Sequence, residues 1–182
     1  MTKTINLFTG KLVKLTAPRN EDLEVMANWE EDADYLRNLD TDIAYPRSIE
    51  QLEEESKRSS GSKYFRLRTI EDDALIGFVV IHSIEWNNQS GLLAIGIGDR
   101  PNQNKGYGSE ALQLILRYAF HELNLNRVGL DVISYNGRAI RAYEKAGFVV
   151  EGRVRSAVYR DGVYSDRINM GILKSEWEKI NN

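Results

Sequence analysis

Nine consecutive residues carry the densest chemistry in the chain, Gln103-Asn-Lys-Gly-Tyr-Gly-Ser-Glu-Ala111. A turn-rich segment, Asp99 to Asn104, ends in this stretch, and the apolar spacing of a long helix begins. Gly106 and Gly108 remove side chains where a backbone must come close to a ligand. The first N–H groups of the helix have no carbonyl behind them, and the helix dipole adds partial positive charge at that end. Together these features suit a pyrophosphate or another anion.

A second pair of residues lies downstream. Asn136 and Tyr143 are seven positions apart in a segment with helical spacing. Seven steps of about 100° return to within roughly 20° of the start, so both side chains share one face two turns apart. A tyrosine there has the right chemistry to protonate a departing thiolate, because its ordinary pKa of about 10 is close to that of an aliphatic thiol. The same spacing also fits a core tyrosine and a plain helix cap.

The glycine stretch admits other readings. Gly106-x-Gly108-x-x-Ala111 matches the loose dinucleotide fingerprint. That reading needs a strand ending at the first glycine and an acidic ribose ligand at the end of a second strand. Instead, the polar run Arg100 to Lys105 intervenes, and Asp131 falls in the middle of its strand. The P-loop spacing is absent. A glycine-rich helix start with no ligand remains open, and among ligands the pyrophosphate of coenzyme A fits best.

The elements that position these residues can be read in order. Lys11 to Ala17 alternates like a strand, and helices follow from about Asp22, over Ala33 to Leu39, and from Ser48, where Ser48 and Gln51 make a capping-box pair. Ser59 to Ser62 reads as a loop. Strands are expected over Lys63 to Ile70, Leu75 to Trp86 and Leu92 to Gly98, with turns at Glu71 to Asp73 and Asn87 to Gly91. The long helix after the glycines carries a core stripe through Leu112, Ile115, Ala119 and Leu123. Arg127 to Ser134 is a strand, Asn136 caps the next helix and Gly147 ends it. This alternation implies a right-handed parallel crossover. Phe148 to Tyr159 and Val163 to Leu173 form a last hairpin around Arg160-Asp-Gly162, and Lys174 to Ile180 closes the chain as a short helix.

Composition bounds the partners. The 182 residues are expected to form one domain with no linker. A net charge of −3 gives no electrostatic case for nucleic acid. With no cysteine there is no thiolate nucleophile, disulfide or zinc–thiolate site. His82 and His121 lack ligand spacing, so no metal is expected and both read as surface or structural histidines. No signal pattern or membrane-spanning apolar run is visible, so a soluble cytoplasmic protein that does not engage membranes is the expectation. Residues 21–55 hold 13 acidic side chains against Arg37 and Arg47, which reads either as solvated helix faces or as an acidic wall that concentrates a cationic acceptor.

The motifs carry a family resemblance. Gln103-x-x-Gly106-x-Gly108 resembles the acetyl-CoA signature of the GNAT superfamily of N-acetyltransferases. Asn136 through Phe148, with Ala139, Tyr143, Lys145 and Gly147, is similar to that superfamily's Asn-x-x-Ala-x-x-x-Tyr-x-Lys-x-Gly-Phe segment. Glu151-Gly152, Tyr159 to Gly162 and Asp166 resemble the Rim-type branch, which includes ribosomal-protein N-terminal and polyamine acetyltransferases. The likeness runs from the Lys11 strand to Trp177.

The resemblance implies an α/β fold with a mostly antiparallel seven-stranded sheet that splays in a V between its fourth and fifth strands. Acetyl-CoA would lie in the V as co-substrate, with no metal. Backbone groups at Ile97 and Gly98 would meet the pantetheine arm, the amides of Gln103, Asn104, Lys105, Gly106, Tyr107, Gly108 and Ser109 the pyrophosphate, and Asn136 the arm from the other side. Lys105, Arg138 and Arg141 would face the outer phosphate, and Tyr143 would be the general acid. The acceptor would be a primary amine, either a peptide amino terminus or a polyamine-like small molecule, attacking directly in a ternary complex. A monomer or a homodimer is expected. Many relatives carry a glutamate on the fourth strand as base, whereas Leu92-Leu-Ala-Ile95 has no carboxylate. Glu85 is the first substitute, Glu30 or Glu31 the second, and an acceptor that binds already neutral the third. A non-catalytic acyl-CoA-binding module, or a pure interaction domain, are the rival readings.

Overall fold

Alternating segments such as β1 Val13–Thr16 and apolar runs such as β3 Leu75–Glu85 become strands, and the 3.6-residue stripes become helices. The structure is a computed structural model and describes residues 6–58 and 61–181. The strands are β1 Val13–Thr16, β2 Lys63–Thr69, β3 Leu75–Glu85, β4 Ser90–Ile97, β5 Arg127–Ile133, β6 Val149–Arg160 and β7 Val163–Leu173. The helices are α1 Asp22–Trp29, α2 Ala33–Leu39, α3 Ile49–Arg58, α4 Tyr107–Arg117, α5 Gly137–Ala146 and α6 Lys174–Asn181. Of the expected loop at Ser59 to Ser62, the first two residues lie outside the described ones.

Among the described residues the strands form one sheet in the order β1-β2-β3-β4-β5-β7-β6. Every neighbouring pair is antiparallel except β4 with β5. That parallel pair matches over Ser90–Arg127, Gly91–Val128 and Leu92–Gly129 and then stops, while each strand stays paired on its other side. The expected splay is therefore present, with its apex at Leu92 and Gly129. The α4 stripe of Ala111, Leu112 and Ile115, continued by Ala119, is buried with Val79, Ile81, Leu93, Val128 and Leu130. After Arg117 the chain continues as one wider turn, Tyr118–Glu122, with Leu123 N–H donating to Tyr118 O at 3.1 Å.

Local signals place the helix ends. Ser48 N–H donates to Gln51 Oε1 (2.9 Å) and Gln51 N–H to Ser48 Oγ (3.3 Å), a complete capping box. Asn136 Oδ1 accepts from Ala139 N–H at 3.2 Å, and Gly147 ends α5 with φ 105°. Several boundaries move. β1 begins at Val13 rather than Lys11, because the amides of Lys11, Leu12 and Val13 donate to the Glu110 carboxylate at 2.8, 2.7 and 2.8 Å. β3 ends at Glu85, one residue before Trp86, and β4 at Ile97, one before Gly98.

Candidate functional site

The splay opens a groove of about 730 Å³ between the ends of β4 and β5, the first turn of α4, the face of α5 and the length of α2. The glycine loop forms one end. Asn104 (φ 61°) and Gly106 (φ 85°) both take the left-handed conformation, so the chain turns sharply into α4. Glu110 N–H is the first to find a helical carbonyl, that of Gly106 at 3.0 Å. The amides of Tyr107, Gly108 and Ser109 stand ahead of that bond, and all three residues line the groove. Gln103 lines it too, but its N–H donates to Arg100 O at 3.0 Å, so its amide is spent within the loop. Its side-chain Oε1 instead accepts from Arg138 Nη1 and bridges the loop to α5. Lys105 is exposed beside the loop and does not line the groove.

The wall formed by β4 separates two of the expected residues. Gly98 N–H donates to Ile76 O at 2.9 Å. Ladder alternation then turns the N–H and C=O of Ile95 and Ile97 away from β3, into the gap that β5 leaves. Ile97 thus offers its backbone to the groove and Gly98 does not. A Cβ on Gly98 would sit 2.0 Å from the Trp29 ring, so this glycine makes room for the α1 tryptophan, not for a ligand. Gly108 is the opposite case. The nearest atom to a Cβ there, Ile97 Cγ1, is 4.0 Å away, so nothing in the protein requires the missing side chain.

The α5 wall presents Asn136, Ala139 and Tyr143, three, four and seven residues apart, along one face as their spacing predicts. Tyr143 is 8% exposed, with Phe148 edge-on at 5.8 Å, and burial pushes its hydroxyl up to about 12, the Asp131 charge adding to the effect. Asn136 also reaches across the groove's mouth: its Nδ2 donates to Asn38 O at 3.4 Å. Next to it, Tyr135 Oη donates to Arg37 O at 2.6 Å. From the other side Arg100 binds Asp32 (3.0 Å) and Asp34 (2.6 Å), which holds the Asp32 carboxyl below its usual range. Helix α2 therefore spans the mouth, tied at one end to the loop after β4 and at the other to the turn after β5.

The base candidates are not brought together. Glu85 pairs opposite Ser90 at the closed end of the splay, outside the groove, and accepts from Asn88 Nδ2 at 2.6 Å within a tight turn. Glu30 is buried and held by Arg47 Nε at 2.7 Å, and neither it nor Glu31 lines the groove. The carboxylates that do line it are Asp32, Asp34, Asp40 and Asp131. So does His82, which the sequence reading places on a plain surface or in the core. The only signal that could have found it was its position opposite Leu92 on the neighbouring strand. Glu110 points away from the groove into the amides of Lys11, Leu12 and Val13 at the start of β1, the structural role its place in the helix pattern suggests. Among the described residues no cluster of three or more His, Asp or Glu could hold a metal ion, and no helix is long and apolar enough to cross a membrane.

Residues 13–149 match the family described as acetyltransferase (GNAT) domain. Over 175 residues, 96% of this chain and 97% of the relative, the sequence is 29% identical to an uncharacterized N-acetyltransferase derived from the SPbeta prophage of Bacillus subtilis (strain 168). It is 32% identical over 132 residues to a spermidine N(1)-acetyltransferase of Vibrio cholerae, 71% of this chain and 76% of that one. The crystal structure of spermidine N-acetyltransferase from Vibrio cholerae in complex with CoA and spermine superposes with a TM-score of 0.82 at 27% identity, covering 91% of this chain and 98% of that chain.

Proposed function

The chain belongs to the GNAT acetyltransferase family, and from that premise we propose that it transfers the acetyl group of acetyl-CoA to a primary amine of a polyamine-like cation. The observation that carries this reading is one continuous groove with three free amides at one end and Tyr143 in its depth. In it, the pyrophosphate sits on the amides of Tyr107, Gly108 and Ser109, where the helix dipole favours negative charge. Arg138 and Lys105 flank that end with positive charge. The pantetheine arm runs along the free backbone groups of Ile95 and Ile97, with Asn136 opposite. Gly98 and the Gln103 amide drop out of the contact set because both N–H groups are already bonded.

The reaction is attack of a neutral amine on the thioester carbonyl carbon. The β4 N–H groups that face the gap polarise that carbonyl and stabilise the oxyanion. Tyr143 gives its proton to the leaving thiolate; burial keeps the hydroxyl protonated at every physiological pH, so it acts as an acid and not as a base. The acidic rim at the α2 end favours a cationic acceptor over a neutral one. The Vibrio cholerae relatives named for spermidine support the same acceptor class.

Transfer of labelled acetyl from acetyl-CoA to spermidine, spermine, simple monoamines and peptides with varied amino termini tests the reading. Polyamines are expected to react at the highest kcat/KM. Tight coenzyme A binding with no transfer to any amine would leave a non-catalytic module, and transfer to peptides alone would move the acceptor to a protein amino terminus.

A further inference from the structure

The acetyl-transfer reading leaves the acceptor's proton without a destination, since the β4 residues that line the groove, Leu93 to Ile97, include no carboxylate. The strands on either side of β4 carry the groups that β4 lacks. We propose that His82 on β3 is the base that takes this proton, with Asp131 on β5 stabilising the charged ring across the groove. The inference rests on the acetyl-transfer reading and deepens it.

Three observations converge on His82. It lies opposite Leu92 in the β3–β4 ladder, and Leu92 lies opposite Gly129 at the last β4–β5 pair, so the ring stands in the row of residues at the apex of the splay. The ladder then breaks: register shifts between His82 and Glu85, and Ser83 takes the left-handed conformation with φ 48°. A non-glycine residue in that conformation is strained, and bulges of this kind re-aim side chains beside active sites. Finally, the Ser83 hydroxyl that this turn presents lies 3.0 Å from His82 Nδ1. With Nδ1–H donating to Ser83 Oγ, the lone pair of the ring is on Nε2, and the ring is half-buried in the groove that Tyr143 and Asp131 also line.

The charges around the ring suit a base. Burial lowers its pKa below the usual value of 6.5, so it is neutral at pH 7, while Asp131 opposes the shift and stabilises the protonated form once it is made. Asp131 itself lies 3.6 Å from Arg167 Nε, so its charge is only loosely compensated. The other acidic groups in the groove are Asp40 and the Arg100-bound Asp32 and Asp34, and the phenol of Tyr143 stays neutral.

An ammonium nitrogen sheds two protons on its way to an amide. The first goes to His82 Nε2 and frees the lone pair that attacks the thioester carbon. A C–N bond forms, the C–S bond breaks, and the second proton leaves the acylated nitrogen for water. The thiolate takes the proton of Tyr143, and the imidazolium proton then restores the phenol. One proton per turnover reaches solvent, and no oxidant or further reactant is needed.

The test is the pH profile of kcat/KM for spermidine in the wild type, His82→Gln, His82→Glu and Asp131→Asn, alongside coenzyme A affinity. Wild type should be flat from about pH 7 toward the amine's own pKa of about 10 and fall only on the acid side of the ordinary histidine range, as His82, its pKa lowered by burial, becomes protonated. His82→Gln should lose roughly 100-fold at pH 7, keep its coenzyme A affinity, and rise about tenfold per pH unit, because it now waits for neutral amine. His82→Glu should recover part of the rate. Asp131→Asn should move the acid limb to lower pH, since the charge that raises the His82 pKa is gone. A His82→Gln enzyme that keeps the flat profile overturns the base assignment while acetyl transfer stands; an acid limb that Asp131→Asn leaves in place removes the Asp131 role. A wild type that transfers to no amine sinks the underlying reading instead.

Discussion

Gly106 and Gly108 stand two residues apart and are glycines for different reasons. Gly106 needs its left-handed φ of 85° to turn the chain into α4. Gly108 sits in ordinary helical backbone with open space around it. Gly106→Ala should therefore cost about 1–2 kcal/mol of stability, whereas Gly108→Val should cost little stability yet weaken coenzyme A binding more than about tenfold, because the added side chain stands over the free amides. Thermal unfolding and calorimetric titration separate the two, and a Gly108→Val protein that binds coenzyme A normally would contradict the pyrophosphate assignment. Tyr143→Phe should lower kcat by about 10²-fold or more with the KM for acetyl-CoA unchanged; an unaltered kcat would free Tyr143 from the acid role. At this scale the sequence is legible where partners are close. Asn136, Gly147 and the Ser48–Gln51 pair are read correctly because each is settled within four residues. Glu85 ends its strand as expected but lies outside the groove, and His82 lines it unforeseen, because both depend on a bulge at Ser83 and on a strand pairing that local pattern does not encode.

Elements here are positioned by a few side chains that reach far along the chain. Glu110, in the first turn of α4, accepts three amides from residues 11–13 and so fixes the start of β1 against the helix whose first amides face the groove. Its carboxylate fills the space beside Gly10, where a Cβ would come within 2.5 Å of it. Glu110→Ala strips three donors of a charged acceptor; with water repairing part of the loss, a cost of about 2 kcal/mol is expected, or roughly 4–8 °C in Tm for a chain this size. A Tm within 1 °C of wild type would mean that water replaces the carboxylate fully. Helix α2 depends on the same kind of reach, through Arg100, Tyr135 and the Arg37–Asp161 pair at 2.7 Å. The helical periodicity of residues 33–39 predicts that α2 exists, and its bounds are correct. Its place across the mouth of the groove is not readable from that periodicity, because its anchors lie about 60 to 120 residues away.

Across the whole molecule, charge is separated along the groove. Among the residues that line the groove, Arg138 stands beside Gln103 at the glycine-loop end, Asp32, Asp34 and Asp40 belong to α2 and its two ends, and Asp131 stands on β5. The acidic count in residues 21–55 overstates the field at that end, because buried or paired arginines absorb part of it. Asp22 is enclosed by Arg66 and Arg68, Glu30 by Arg47, and Asp32 with Asp34 by Arg100. What faces the groove beyond these pairs is Asp40 and the loosely compensated Asp131. A field of this residual kind acts over about a Debye length, roughly 10 Å at 0.1 M salt, and its effect scales with the charge of the molecule it attracts. At saturating acetyl-CoA, raising salt from about 20 to 300 mM should therefore lower kcat/KM for spermidine several-fold and for a monoamine much less. The comparison isolates recognition of the acceptor, because acetyl-CoA is saturating in both arms and the transfer step is common to both. Equal salt sensitivity for the two amines would show that the acidic residues are solvated helix faces, leaving recognition of the acceptor to short-range contacts at the apex of the splay.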